Sequence, residues 1–326
     1  MEYAVRRTDS SEGAEHRDSN ALEPYDRRRN LEGVAAVALA TVIWGVTGTL
    51  VKVTSMPGAT ITFWRVVFGI PVLGVAAAAQ KQLSIKGPLS SSLAAGLLFG
   101  SSIVLYFVAL RHTTIANVTL IGALTPVAVS LFSYRALGER VGFIRGIGIA
   151  TATAGVFVSV IAASGRPGWS GLGDLAALVS LGFFVAYFIA SKRIRRSMPN
   201  TRYNLLMTVG ALAPATAAVL ATRAPLLGFP IRDYAMVAAI ALFPGSLGHW
   251  LVNWAHTRIR AATSATIQLG VPVVAILLGW AVVRETLSPL GLLGCAIALA
   301  SIFLLIRVEA RQEGAERLAE ETEAMA

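Results

Sequence analysis

Ten long apolar runs alternate with short polar segments along most of the chain. Each run has about 18 to 24 residues, the length that an α-helix needs to cross the hydrocarbon core of a bilayer. In lipid, spans of this length form helices, because an open sheet edge would leave backbone amides without partners. The sequence therefore predicts an all-α polytopic membrane protein. Its ten predicted transmembrane helices lie near residues 33–52, 59–79, 89–110, 115–134, 141–163, 172–191, 203–222, 234–255, 261–283 and 287–307.

Composition supports a membrane protein. Hydrophobic residues make up 55% of the chain and charged residues 14%, and the mean hydropathy is +0.65. Between positions 33 and 308 the carboxylates are Glu139, Asp174, Asp233 and Glu285. A soluble body of this length needs a charged surface, so the expected solvent is the lipid bilayer. The net charge of +10 does not indicate a nucleic-acid partner, because the basic residues lie between apolar runs instead of clustering.

The distribution of basic residues predicts the orientation. With both termini cytoplasmic, the cytoplasmic tails and loops hold 21 Arg and Lys residues, and the outer loops hold six. This asymmetry is the positive-inside pattern of a correctly counted bundle. A multi-pass protein of the cell membrane is expected. The tails are residues 1–32, predicted to be disordered, and 308–326.

The second half of the chain repeats the first. Shifting residues 109–160 forward by 146 positions matches Pro126 with Pro272 and Glu139 with Glu285, and about a dozen of the 52 pairs are identical. Repeats with an odd number of spans enter the membrane from opposite sides. The sequence therefore predicts two inverted five-helix repeats, at 33–163 and 172–307, joined by a linker at 164–171. Inverted repeats are typical of secondary transporters that rock about a midplane site.

Four sequence features resemble the drug/metabolite transporter superfamily and, within it, the ten-helix EamA-type transporters. They are Trp44-Gly45 in span one, Arg65 in span two, "YFVALRHTTIANVTLIGALTP" between spans three and four, and "YRALGERVGFIRGIGIATATAG" between spans four and five. The second half repeats the last two as "AHTRIRAATSATIQLGVP" and "VVRETLSPLGLLG". The resemblance covers about residues 33–307. It implies a ten-helix transporter, and relatives export amino acids, their derivatives, nucleobases and other metabolites.

Two prolines fall near the centres of spans four and nine. Pro126 and Pro272 each free a carbonyl four residues earlier, at Gly122 and Gln268. Helix breaks at matching positions of two halves point to a midplane binding site. A kink that only improves packing is the alternative.

Span eight carries a polar stripe. His249, Asn253 and His256 have spacings of four and three, which places them on one helical face. A polar stripe facing lipid is costly, so it should face the interior or a water-filled cavity. Two alternatives stay open: His249 donates to a backbone carbonyl, and the other two residues reach the cytoplasmic interface.

Arg65 lies inside span two, where it either holds a substrate carboxylate or anchors the helix at the outer interface. Glu139 and Glu285 lie at span ends and are expected to act as gate or capping residues, because a carboxylate can accept from the amides that open a helix. Capping is the favoured interpretation over proton coupling. The predicted substrate contacts are Trp44, Tyr106, Asn117, His249, Asn253 and Gln268.

Two glycine pairs at a spacing of four, Gly96 with Gly100 and Gly142 with Gly146, predict close helix approach without a ligand. Enzymatic motifs are absent from the sequence: it contains no His-Glu-x-x-His and no phosphate-binding glycine loop with lysine. No metal or cofactor site is expected.

The sequence thus predicts a secondary transporter, most simply an exporter of a small metabolite such as an amino acid or derivative. One alternative is uptake or exchange of a sugar-like or nucleotide-linked solute. Another is a membrane scaffold or lipid-handling protein without a solute pathway. Whether the chain acts as a monomer or a homodimer stays open.

Overall fold

The computed structural model describes residues 27–52, 54–84, 87–139, 141–164, 170–283 and 288–325. These residues form helices and connecting turns, and no strand occurs among them. A π-helical segment, Ala241–Gly248, lies between α10 and α11. The α-helices are α1 (Arg27–Gly45), α2 (Thr47–Lys52), α3 (Gly58–Ala79), α4 (Leu89–His112), α5 (Ile115–Gly122), α6 (Thr125–Leu137), α7 (Phe143–Ser164), α8 (Gly171–Arg195), α9 (Asn200–Thr222), α10 (Ile231–Ile240), α11 (His249–Ala255), α12 (Ala261–Ile267), α13 (Gly270–Val283) and α14 (Pro289–Met325).

Within the described ranges, nine helical segments are long and apolar enough to cross a membrane. The predicted first span is not among them, because α1 opens with three arginines and ends at Gly45, which leaves a short apolar stretch before α2. The outward faces of the bundle are apolar: Val75, Leu131 and Leu220 each expose 68–72% of their surface. Such faces require a lipid solvent, so the chain is a multi-pass membrane protein.

Helices extend into both predicted tails. Helix α1 begins at Arg27, where Arg28 and Glu32 form an i,i+4 ion pair at 3.3 Å, and α14 continues to Met325. The charged segment at the end of α14 is rich in Ala, Glu, Leu and Arg, which have high helix propensity. Residues 1–26 and most of the predicted linker lie outside the described residues.

Helix breaks occur at both matched prolines. Helix α5 ends at Gly122 and α6 starts just before Pro126, while α12 ends at Ile267 and α13 starts just before Pro272. Both carbonyls that the prolines free find donors nearby. The Thr125 hydroxyl donates to the Gly122 carbonyl at 2.6 Å, and the Val271 amide donates to the Gln268 carbonyl at 3.0 Å. The breaks are therefore stable local structures with their polar groups satisfied.

Glycines set the closest helix contacts. A Cβ on Gly96 would lie 2.2 Å from the Met207 carbonyl oxygen, so α4 and α9 touch backbone to backbone, as the sequence predicts. Gly142 and Gly146 permit such an approach but make none in the described structure, because no atom of another element lies within 4 Å of a Cβ built on either. On α7 the close contact lies further along, at Gly155, where a Cβ would meet the Ala298 amide nitrogen at 2.6 Å.

Glu139 joins the end of α6 to the second half of the chain. Its Oε2 accepts from the Ala261 amide at 2.9 Å, at the start of α12, and its Oε1 lies 2.9 Å from the Lys192 ammonium. Lys192 also donates to the Ile259 carbonyl. Glu139 exposes 7% and Lys192 1% of its surface, so water screens this ion pair little. The carboxylate thus caps a distant helix instead of the one that follows it.

Asp174 and Asp233 make comparable connections at the opposite end of the bundle. The Asp174 carboxylate accepts from the Thr113 hydroxyl at 2.7 Å and from the Asn117 amide at 2.8 Å, which ties α8 to α5. The Asp233 carboxylate accepts from the Ser55 hydroxyl at 2.6 Å and the Ser55 amide at 2.9 Å, which ties α10 to the α2–α3 turn. Each described carboxylate between α1 and the end of α13 therefore links the first half of the chain to the second.

Candidate functional site

His249 lies at the end of the π-helical segment, deep within the bundle. Pro244 lies inside this segment, and its carbonyl accepts from the Trp44 indole at 2.9 Å. A Cβ on Gly248 would lie 2.6 Å from the Trp44 Nε1, so only glycine lets the indole approach this closely. The Trp44 ring lies 4.8 Å from the His249 ring, centroid to centroid. The wide turn thus brings an indole from the first half against an imidazole from the second. π-Helical turns recur at functional sites.

Arg65 and His249 are hydrogen-bonded across the two halves. The Arg65 Nη2 lies 3.1 Å from the His249 Nε2. A guanidinium only donates, so Nε2 is the acceptor and the proton of a neutral imidazole lies on Nδ1. Nδ1 lies 3.5 Å from the Tyr187 hydroxyl, which is its nearest partner. The arginine therefore sets the tautomer of the histidine and the direction of the next contact.

Aromatic rings enclose this pair. The Phe99 ring lies 4.5 Å from the His249 ring and 4.8 Å from the Tyr187 ring, centroid to centroid. The Arg65 guanidinium carbon lies 5.7 Å from the Phe99 centroid, within cation–π range. An apolar wall around a cation strengthens its electrostatic interactions, because it excludes water.

Asn253 extends the polar chain by one turn of helix. Its amide nitrogen donates to the Asn204 Oδ1 at 2.9 Å and lies 3.4 Å from the Tyr187 hydroxyl. Asn253 and Tyr187 expose 0% and 1% of their surfaces. A continuous set of polar groups therefore runs through the interior from α3 to α9. The central cluster consists of Trp44, Arg65, Phe99, Tyr187, His249 and Asn253.

Tyr106 lies on the same face of α4 as Phe99, two turns or about 10 Å away. It exposes 44% of its surface, and its ring lies edge-on to Phe107 with the ring centroids 5.8 Å apart. Arg65 also keeps part of its surface accessible, since it is half-buried.

The other two predicted amide contacts lie apart from the central cluster. Asn117 donates to Asp174 and to the Thr113 hydroxyl, at 2.8 and 3.0 Å. Gln268 donates to the Ser264 carbonyl of its own helix at 3.1 Å. Both amides therefore already donate to partners within the protein.

The remaining predicted residues have varied surroundings. His256, the third member of the span-eight stripe, is buried against Phe188 with ring centroids 4.7 Å apart. Glu139 forms the contacts with Ala261 and Lys192 described above, and Glu285 lies outside the described residues. Across the described ranges, no three His, Cys, Asp or Glu side chains gather in a group that could hold a metal.

Phe99, Asn204 and the pairing of Arg65 with His249 are not among the site features predicted from the sequence. Phe99 is one of many apolar residues in α4, and no local pattern marks it as a neighbour of His249. Arg65 and His249 are 184 positions apart, so their contact depends on how the halves pack. A polar residue within an apolar run is the sequence feature that points to a buried site. This feature marks Arg65 and His249 individually, but it does not show that the two are in contact.

Comparisons with known proteins agree with this architecture. A comparison with curated proteins finds none that matches. Among solved structures, 29 chains match. One of them, described only as a crystal structure of a protein, has a TM-score of 0.75 at 22% identity, covering 87% of this chain and 98% of its own. At that identity the likeness shows the fold alone.

A family model carries the assignment further. The model described as the EamA-like transporter family matches residues 31–161 and again 171–307, which together are most of the chain. Members of this family are transporters and not enzymes. The two matches also coincide with the repeat seen at an offset of 146 positions. The chain therefore belongs to the EamA-like transporter family and is a multi-pass membrane transporter of the drug/metabolite transporter superfamily.

Proposed function

We propose that this protein is a secondary transporter that exports a small metabolite, such as an amino acid or derivative, across the cell membrane. Both termini are cytoplasmic in this proposal, as the loop charges favour. The two halves rock about the central cluster and expose it to each side in turn. The cargo stacks on Trp44 and hydrogen-bonds to His249 and Asn253.

The proposal includes ten spans arranged as two inverted repeats, 33–163 and 172–307, with α1 and α2 together forming the first span. Helix packing supports it. Equivalent spans of the two halves contact each other in three places: α3 with α9, α7 with α14, and span four with span nine through α6 and α12. The contact of α4 with α8 has its counterpart in the contact of α1 with α11. Two inverted repeats related by an approximate two-fold axis would produce this exchange of partners.

The observation that carries the proposal is the composition of the central cluster. Its first three members, Trp44, Arg65 and Phe99, come from the first half, and Tyr187, His249 and Asn253 come from the second half. A polar site between two moving halves can be opened from either side. Polar groups are costly to bury in the membrane interior. A cluster of them there is typical of a transport pathway.

The other predicted residues take supporting roles in the proposal. Tyr106 borders the path on the outer side of Phe99, and the breaks at Pro126 and Pro272 allow α6 and α13 to move. Asn117 and Gln268 are weaker cargo contacts, because their amides already donate within the protein. Glu139 acts as a gate, since its bonds to Lys192 and Ala261 must change when the halves separate on the inner side.

Transport into everted membrane vesicles tests this function. Vesicles that contain the full-length chain should accumulate labelled compounds from a panel of amino acids and N-acylated amino acids above vesicles without it. The double variant His249→Ala/Asn253→Ala should accumulate no more label than vesicles without the protein, because it removes both side chains that hydrogen-bond to the cargo. His112→Ala is the matched control, since this histidine is exposed at the end of α4.

Two outcomes would count against the proposal in different ways. Equal accumulation by the double variant and the parent would remove His249 and Asn253 from the site. No accumulation of any compound, with the protein present in the vesicle membrane, would contradict export of this class of cargo.

A further inference from the structure

We infer that the cargo is an amphipathic organic anion without an ammonium group, such as an N-acylated amino acid, and that its anionic group binds Arg65. The inference rests on the proposed function and narrows it from amino acids and derivatives to the anionic derivatives. It follows from the charges around the central cluster and from the surface that Arg65 keeps accessible.

Arg65 meets neutral partners. Its Nη2 donates to His249, and its guanidinium lies over the Phe99 ring. A Cβ built on Gly245 would lie 3.1 Å from the Arg65 Nε, so this glycine leaves room for the guanidinium. A guanidinium has five N–H donors, and one of them is engaged by His249. In the described part of the chain no carboxylate pairs with it, so its donors are available to a bidentate carboxylate of the cargo.

A second guanidinium adds positive charge on the inner side of the same polar chain. Arg195 exposes 8% of its surface, and its Nε donates to the Asn253 backbone carbonyl at 3.1 Å. Its partners among the described residues include no carboxylate. Arg65 and Arg195 therefore lie at the two ends of a neutral path through Tyr187 and Asn253, and both favour an anion along it.

The carboxylates that could balance these charges are engaged elsewhere. Glu139 pairs with Lys192, Asp174 binds Thr113 and Asn117, and Asp233 binds Ser55. Each lies near an end of the bundle. A cargo carboxylate therefore supplies the counter-charge that the protein does not place beside Arg65.

An ammonium group fits this environment poorly. Charges of like sign repel strongly where protein excludes water, and the central cluster offers neutral acceptors only. A zwitterionic amino acid would gain from its carboxylate and lose from its ammonium. Acylation of the amine removes the unfavourable ammonium charge. It also adds apolar surface that can pack against the rings of Trp44 and Tyr106.

Binding of a matched charge series tests the inference. The probes are N-acetylphenylalanine, phenylalanine and phenylalaninamide, which share a side chain and differ in charge. They are added to the purified full-length protein in detergent, and the concentration that half-saturates thermal stabilisation is measured. N-acetylphenylalanine should bind at least tenfold more tightly than phenylalanine, and phenylalaninamide should bind most weakly.

Variants of Arg65 test whether its guanidinium causes the preference for the anionic probe. Arg65→Gln should weaken N-acetylphenylalanine binding about tenfold to a hundredfold, as expected for loss of a charge-assisted bidentate contact. Arg65→Lys keeps the charge and should recover part of the loss, which a merely misfolded protein would not do. Arg193→Gln is the control, because Arg193 is exposed on α8. The inference fails if N-acetylphenylalanine binds no better than phenylalanine, or if Arg65→Gln leaves its binding unchanged.

A survey of metabolites separates this inference from the proposed function. Media of cells with and without the protein are compared for every small molecule that changes in amount. Anions without a free amine should change, and Arg65→Gln should abolish the change. If zwitterions or cations change instead, the charge class is wrong and transport stands. If no compound changes, the proposed function itself is contradicted.

Discussion

The buried ion pair between Glu139 and Lys192 should hold the two halves together on one side of the bundle. Replacing Glu139 by Gln removes the charge but keeps a carbonyl oxygen that can accept from the Ala261 amide. Replacing it by Ala removes both. The two variants therefore separate the ion pair from the helix cap, because the first loses one contact and the second loses two.

The magnitude follows from burial. Removing one partner of a buried ion pair costs about 3–5 kcal/mol, because the other charge stays in a water-poor environment. Lys192 still donates to the Ile259 carbonyl, so we expect the lower end for Glu139→Gln, about 3 kcal/mol. Loss of a helix cap adds about 1 kcal/mol for Glu139→Ala. At about 1.5 °C per kcal/mol for a chain of 326 residues, Glu139→Gln should lower the melting temperature by about 4 °C.

Cys295 provides the assay. It is the single cysteine of the chain and exposes 3% of its surface, so a fluorogenic maleimide reacts when the protein unfolds. Purified protein in detergent is heated with the dye, and the midpoint of the fluorescence rise is compared between variants at one heating rate. Glu32→Gln is the matched control, because Glu32 forms an exposed i,i+4 pair with Arg28, which is worth about 0.3–0.5 kcal/mol.

A double variant completes the test. Glu139→Gln/Lys192→Met removes both charges and should melt well above Glu139→Gln alone, because no unpaired ammonium stays buried. A melting temperature for Glu139→Gln within 2 °C of the Glu32→Gln control would contradict a stabilising role for the buried ion pair. A double variant that is less stable than Glu139→Gln would also contradict it.

Variants at three further contacts are tested by the same melting assay or by vesicle transport. Gly155→Ala should destabilise the protein by about 1–3 kcal/mol, because the new methyl overlaps α14, whereas Gly146→Ala on the same helix should be neutral or stabilising; equal midpoints would contradict this. Thr125→Val should cost about 1 kcal/mol, since the carbonyl freed by the proline loses its donor, and an unchanged midpoint would count against that role. Tyr187→Phe should reduce vesicle transport about fivefold by removing the partner of His249, and full transport would remove the hydroxyl from the site.

The membrane class and the repeat were predictable because they depend on properties that run along the chain. Apolar runs of membrane length report helices directly, and the matched Pro126 and Pro272 locate breaks that depend on a missing amide hydrogen. The first span was harder to predict. Its apolar run is continuous in sequence, but the helix ends at Gly45, beside Val274, and restarts at Thr47.

The site was predictable one residue at a time and not as an arrangement. Arg65 and His249 each stand out as polar groups within apolar runs, but their hydrogen bond depends on the packing of α3 against the π-helical segment. For Glu139, too, the sequence indicates a role but not the partner. Its position at the end of a helix predicted a cap, and the helix that it caps starts at Ala261, on the far side of the repeat boundary.

The contacts of Glu139 also bear on how the chain is made. Its carboxylate caps an amide 122 residues later, so a ribosome must synthesise most of the second half before that bond can form. Until then the charge has to stay near water at the membrane surface, which delays burial of the end of α6. We therefore expect the end of α6 to take its final buried position only once the start of α12 is in place.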